Sequence, residues 1–209
     1  QYLRRFEKGS ITGKLNYGDR PAGMGIQGGV DIYYNHDSAY YSNLFLNASS
    51  GKAFPYWQGG YSLFRNFKKG WEGELGVRYL GFDSIHNYTT TASVGKYINS
   101  TWLNVRGYYT YNTKEWFQSY QLTARQYLND KNDYLSLIAG LGNIPDDQSL
   151  NYQLNNFSGI TSKSLGIGFQ KTLRYRTTLQ VFFNYNNLQV TQAKKIDQYD
   201  VYITLLRNF

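Results

Sequence analysis

The stretch WEGELGVRYLGF, residues Trp71 to Phe82, decides the fold. Its odd positions read Trp71, Gly73, Leu75, Val77, Tyr79 and Gly81, while the even positions include Glu72, Glu74 and Arg78. Successive side chains of a strand point to opposite faces, so this alternation gives one face suited to hydrocarbon and one suited to water. The same pattern returns in Thr177 to Tyr185, where Leu179, Val181, Phe183 and Tyr185 oppose Thr178, Gln180 and Asn184. It recurs in Val201 to Phe209. Working outward adds Ser10 to Gly18, Gly23 to Tyr34, Ala39 to Ser49, Gln58 to Phe67, Tyr88 to Ile98, Thr101 to Asn112, Trp116 to Leu128, Tyr134 to Gly142 and Ser162 to Leu173. That makes about twelve segments, each near the 9–11 residues with which a tilted strand crosses a bilayer.

An even number of antiparallel strands lets a sheet close and leaves no unpaired edge in lipid. The expected fold is therefore all-β: a closed antiparallel up-and-down transmembrane β-barrel of about twelve strands. It forms a single outer-membrane domain over 1–209, in which 1–9 is a short N-terminal periplasmic segment. Tight links at Asn35 to Ser38, Lys68 to Gly70, Asn99-Ser100, Asn129 to Asn132 and Arg174-Tyr175 suit periplasmic turns. Ser50 to Trp57, Asn143 to Thr161 and Asn187 to Gln198 suit outward loops, although Phe82 to Asn87 and Thr113-Lys114 are short.

Composition fits this architecture. The chain has 209 residues with 22 Tyr, 12 Phe, 4 Trp and 21 Gly against 3 Pro; aromatics favour sheet. Mean hydropathy is −0.56, and no window approaches the roughly 18 apolar residues of a transmembrane helix. A helical membrane protein is excluded; a barrel is not, because only alternate side chains of its strands meet lipid. Cysteine is absent, which removes disulfide frameworks, thiolate metal sites and a lipoprotein anchor. Without a basic-then-apolar leader, Gln1 reads as a mature terminus or the start of a fragment. The net charge of +8 is spread through strand-like segments rather than gathered in a patch, so no nucleic-acid partner is expected. Aromatic residues near segment ends, including Tyr33-Tyr34, Tyr40-Tyr41, Tyr56-Trp57, Trp102, Tyr108-Tyr109, Tyr111, Trp116 and Tyr199, are expected to form interfacial girdles. The alternative is that they fill the core of a soluble β-sandwich. The final strand ends in Phe209, similar to the terminal signature read by barrel-assembly machinery, with Arg207 departing from its all-apolar form.

Four stretches carry a family resemblance: GELGVRYLGFDS (Gly73 to Ser84), YTTTASVGKYINSTWLNVRGYYT (Tyr88 to Thr110), QSYQLTARQYLNDKNDYLSLIAGLGNIPDD (Gln118 to Asp147) and the closing LLRNF. SVGKY, the following Trp-Leu, TAR-Y and G-PDD in this order resemble the YaiO-type outer-membrane β-barrel family. The resemblance implies a barrel, sometimes preceded by a periplasmic repeat domain, in envelope and exopolysaccharide systems of Gram-negative bacteria. It brings no catalytic residues.

Candidate chemistry is sparse. An outer-membrane phospholipase needs a Ser-His pair on the lipid-facing wall, and an omptin-type protease needs Asp and His across the barrel mouth. Asp83, Ser84 and His86 share one link and Asp146-Asp147 sit in the longest loop, but no nucleophile motif accompanies them; His36 stands elsewhere. Calcium wants about six oxygen ligands, and only a Pro-Asp-Asp turn is visible. No catalytic residue, metal or cofactor is expected, and the chain is read as no enzyme. Turning the polar phase inward selects Lys14, Asp31, Tyr33, Glu72, Glu74, Arg78, Asn104, Arg106, Gln121, Arg125, Gln180 and Asn184 as lumen-lining candidates, with Asn16, Gln27, Asn43 and Asn47 beside them. Two meanings stay open. These groups line a narrow porin-like saccharide or anion channel, or Glu72 and Glu74 pair with Arg78, Arg106 and Arg125 and plug a scaffold subunit of an outer-membrane assembly. The expected partners are outer-membrane lipid and lipopolysaccharide, a saccharide, and other outer-membrane proteins. A barrel-rim hydrolase acting on lipid or peptide is the alternative function, and a soluble sandwich binding module is the second.

Overall fold

A computed structural model describes residues 2–20, 23–51, 53–82, 85–112, 115–128, 132–142, 163–173, 177–189 and 195–207. They form β1 (Tyr2–Phe6), β2 (Gly9–Arg20), β3 (Gly23–Asn35), β4 (Tyr40–Gly51), β5 (Trp57–Asn66), β6 (Trp71–Phe82), β7 (Ile85–Ile98), β8 (Thr101–Asn112), β9 (Glu115–Tyr127), β10 (Tyr134–Leu141), β11 (Lys163–Leu173), β12 (Thr177–Gln189) and β13 (Lys195–Arg207). All belong to one 13-stranded sheet in sequence order. Every ladder joins consecutive antiparallel strands. The chain is an up-and-down meander, and β1 and β13 are its two edges. Two facing sheets, as the sandwich alternative requires, are not what the described residues build.

What faces inward decides how this sheet is used. Buried side chains on one face are polar, among them Glu74, Ser93, Asn104, Thr110 and Ser119. On the other face Leu75 is 68% exposed, Val105 56% and Ile203 69%. A water-soluble fold buries the second group and exposes the first; here the order is inverted, as in a wall with lipid outside and polar groups within. Lys14 on β2 and Arg106 on β8 nonetheless line one cavity, although six strand spacings, about 29 Å on a flat sheet, separate them. The sheet is rolled with its polar face concave.

Four sequence expectations change. The described residues form thirteen strands rather than about twelve. The segment 1–9, expected as a periplasmic lead-in, contains β1, paired from Tyr2↔Gly13 to Phe6↔Gly9; adjacent Arg4 and Arg5 hide its alternation. The expected loop Asn187 to Gln198 is mostly strand, because β12 and β13 stay paired as far as Gln189↔Lys195. Asn187 donates to Asp197 (2.6 Å) and Tyr185 does so too (2.8 Å), so a polar sequence is held in sheet by cross-strand hydrogen bonds. In the link Phe82 to Asn87, the ladder already resumes at Phe82↔Ile85.

The turn expected at Lys68 to Gly70 is a short 3-10 element whose Lys69 and Gly70 have φ of 61° and 75°. That left-handed conformation suits glycine and costs lysine some strain. Phe6 and Gly9, Asn35 and Tyr40, Asn66 and Trp71, and Ile98 and Thr101 lie at this turn end of the sheet, and Arg20 and Gly23, Gly51 and Trp57, and Leu141 and Lys163 lie at the opposite end; the loop expected at Asn143 to Thr161 and the turn expected at Arg174-Tyr175 lie outside the described residues. Phe209 lies outside the described residues.

Candidate functional site

The concave face is built by alternation alone: even residues of β2, β5, β6 and β8 and odd residues of β3, β4, β7 and β9 point to it. All twelve candidate positions occupy this face by register. The structure gathers six of them, Lys14, Asp31, Tyr33, Glu74, Arg78 and Arg106, around a cavity of about 360 Å³. Asn43, Phe45, Asn47, Gln58, Ser62 and Phe64 complete its lining.

Glu74 is the centre of this cluster. Its side chain is 1% exposed, and an ionised carboxylate so placed must be paired. One oxygen accepts from Ser62 Oγ at 2.8 Å. The other accepts from Ser93 Oγ at 2.9 Å and from Arg106 Nε and Nη2 at 3.0 and 2.6 Å. Asn104 Nδ2 in turn donates to Ser93 Oγ at 3.2 Å. Gly76, two residues along β6, keeps this arrangement possible, because a Cβ there would collide with Ser62 Oγ. Lys14 and Asp31 form a second ion pair across the β2–β3 ladder.

Arg78 is used differently. Its guanidinium lies over the rings of Phe45 and Tyr108, 5.9 and 5.5 Å from their centroids, where the ring quadrupoles favour a cation. The cavity thus holds three cationic side chains, Lys14, Arg78 and Arg106, against two anionic ones, Asp31 and Glu74.

The other six candidates share the face without lining the cavity. Glu72 accepts from Tyr41 Oη at 2.9 Å rather than pairing with an arginine. Arg125 lies over Trp102 and Tyr134, 5.2 and 5.0 Å from their centroids. Asn104 supports Ser93 as above, Gln121 accepts from Tyr108 Oη at 3.3 Å, and Gln180 donates to Gln170 at 2.5 Å. Asn184 stands on β12, opposite Asp200 of β13. Of the expected charge pairs, the described residues realise Glu74–Arg106.

Polarity alone missed Phe45, Phe64, Gln58 and Ser62. Gln58, Ser62 and Phe64 share a phase on β5, so the period-two count would have found them once Gln58 was turned inward. Four aromatics expected in the girdles belong to this face: Tyr33 lines the cavity, Tyr108 is buried, Trp102 stands opposite Arg125 in the ladder, and Tyr41 stacks on Phe64 with centroids 4.5 Å apart.

Of the residues weighed for catalysis, the structure describes His36 and His86. Asp83, Ser84, Asp146 and Asp147 lie outside the described residues. His86 Nδ1 is 2.8 Å from Tyr79 Oη. His36 Nε2 does meet a serine, Ser42 Oγ, at 2.9 Å, but Ser42 is only 6% exposed. That contact ties the β3–β4 turn to the strand behind it. Among the described residues no group of three or more His, Cys, Asp or Glu could hold a metal ion.

A family model described as the YaiO membrane beta barrel domain matches residues 1–147. The match takes in the three stretches from Gly73 to Asp147, and the closing LLRNF lies beyond it. No curated protein and no solved structure matches the chain.

Proposed function

The chain belongs to the YaiO membrane β-barrel domain family, and from that premise we propose that it is an integral outer-membrane barrel with a narrow, polar, cation-lined lumen. Its inverted burial supports membrane insertion, and the rolling that brings β2 and β8 to one cavity supports closure. The turn end of the sheet then faces the periplasm, and the opposite end, where Leu141 and Lys163 lie, faces outward. Outer-membrane lipid and lipopolysaccharide surround the apolar wall.

We propose that this lumen passes small anions or saccharides and performs no catalysis. The cavity carries the proposal: its amides suit hydroxyl groups, its rings suit sugar faces, and its surplus cation suits carboxylate or phosphate. Conductance of the protein in planar bilayers tests it. Small anion-preferring steps that shrink in Arg78→Ala are expected. Silence over a range of voltages would instead support the scaffold reading, which the Glu74–Arg106 pair bridging β6 and β8 over β7 favours. Hydrolysis of lipid or peptide that disappears in His86→Ala would replace both with an enzyme.

A further inference from the structure

On the concave face near the turn end, Tyr97 of β7 faces Trp102 of β8, and Trp102 faces Arg125 of β9. Cross-strand partners share a face, so the three stand side by side. Tyr127, further along β9, faces Tyr134 of β10, and its ring centroid is 6.5 Å from that of Tyr97. Gly95 seats the indole, because a Cβ there would lie 3.1 Å from Trp102 Nε1. Rings thus enclose one guanidinium, and Tyr97 among them is 45% exposed toward the interior.

Arg125 differs from Lys14 and Arg106 in what answers its charge. Those two each meet a carboxylate, Asp31 and Glu74. Arg125 makes no ion pair among the described residues, and its Nε is buried without an acceptor among them. Its neighbours are the rings of Trp102 and Tyr134, one from each flanking strand. Aromatic faces attract a cation, but they do not accept the in-plane hydrogen bonds that a guanidinium donates. A carboxylate does, because its two oxygens match the planar fork. An anion in the interior therefore meets, at Arg125, a charge that no carboxylate of the described chain neutralises.

We propose that Arg125 is the centre of a second binding station, selective for a sugar that carries a carboxylate. The carboxylate takes the N–H edge of Arg125, and the apolar face of the sugar ring lies on the exposed ring of Tyr97. Arg106 of β8 stands opposite Gln121 of β9, and the strand from Gln121 to Arg125 rises roughly 14 Å. The station therefore lies beyond the central cavity, nearer the turn end, within one short step for a solute leaving that cavity. Weak sites in series let a solute both enter and leave. This inference rests on the lumen proposed above and names what it holds best: neutral sugars lack the charge, and small inorganic anions lack the ring.

Trp102 reports on the station directly. In the whole chain, folded in lipid vesicles, Trp57→Phe, Trp71→Phe and Trp116→Phe remove the other tryptophans, and the fluorescence is titrated with glucuronate, glucose and acetate. A saturable change with glucuronate is expected, with midpoints about tenfold higher for glucose and for acetate. Arg125→Gln should abolish the glucuronate response. Tyr97→Ala, which keeps the cation, should bring glucuronate to the midpoint of acetate. The proposal is overturned if glucose or acetate binds as well as glucuronate, or if Arg125→Gln leaves the response unchanged. Should Arg125→Gln not fold, Tyr97→Ala decides, and unchanged glucuronate binding there overturns the proposal. Bilayer conductance separates this site from the channel reading. Silence with glucuronate binding intact refutes passage and keeps the station, whereas conducting protein without glucuronate binding refutes the station alone.

Discussion

Replacing Glu74 with alanine should destabilise the folded protein more than any other single change on the concave face. The substitution removes four hydrogen bonds, two of them from Arg106, and leaves that guanidinium, whose side chain is 21% exposed, facing an apolar methyl. Breaking a buried ion pair from one side costs about 3–5 kcal/mol. Because Arg106 keeps some contact with solvent, the lower end applies, about 3 kcal/mol, or a roughly hundredfold shift in the unfolding equilibrium. Glu74→Gln keeps acceptors for Ser62 and Ser93 and loses the charge, so about 1.5–3 kcal/mol is expected. Arg106→Met alone strands the carboxylate, whereas the double variant Glu74→Ala with Arg106→Met removes both charges and should cost less than the sum of the single changes. The assay is denaturant unfolding in lipid vesicles, followed by tryptophan fluorescence and by gel mobility of unheated samples. Loss below about 0.5 kcal/mol in Glu74→Ala, or strict additivity in the double variant, would refute the claim that this pair organises the interior.

Gly76→Ala should cost about 1–3 kcal/mol because its Cβ displaces Ser62 from Glu74, while Gly13→Ala, whose Cβ would meet nothing within 4 Å, should be neutral; equal effects at both would show that the cavity does not depend on the close approach. Leu75→Arg, near the middle of β6 on the outer face, should cost about 2–4 kcal/mol in vesicles, and unchanged stability there would place that face in water. Asp37, in the β3–β4 turn, accepts from the Tyr40 and Ala39 backbone N–H groups at 2.7 Å each, which hold its carboxyl below the usual range. A pKa depressed by folding stabilises above the unfolded value of about 3.9 and loses that contribution as pH falls through the folded one. Asp37→Ala should therefore be less stable than the parent at neutral pH and converge with it below about pH 4; a gap that persists in acid would mean the carboxylate is not the stabilising group.

β6 shows how much was legible in advance. Its alternating charges fixed a strand, its two faces and the inward placement of Glu74 and Arg78, because period two carries all three at once. β1 was not legible, since five residues with adjacent arginines carry no clear phase. The β12–β13 extension was hidden for a different reason: Asn187 and Asp197 resemble loop residues until they are seen bonded to each other across the ladder. The partners of Arg78 and Arg125 were also out of reach. Sequence marks a cation as needing compensation, but the choice between a carboxylate and an aromatic face depends on which strand lies beside it, and Phe45 and Trp102 look like lipid-facing residues until the sheet is rolled.

Since each strand pairs only with its neighbour in the chain, removing or duplicating one hairpin would leave both rims with the same sense of travel and every remaining register unchanged. Girth, and with it the space inside, is then free to change two strands at a time during descent without a new topology. The wall can also form progressively from local contacts, each adding little loop entropy. In the closed barrel proposed above, only the last junction would have to find a partner far away in sequence.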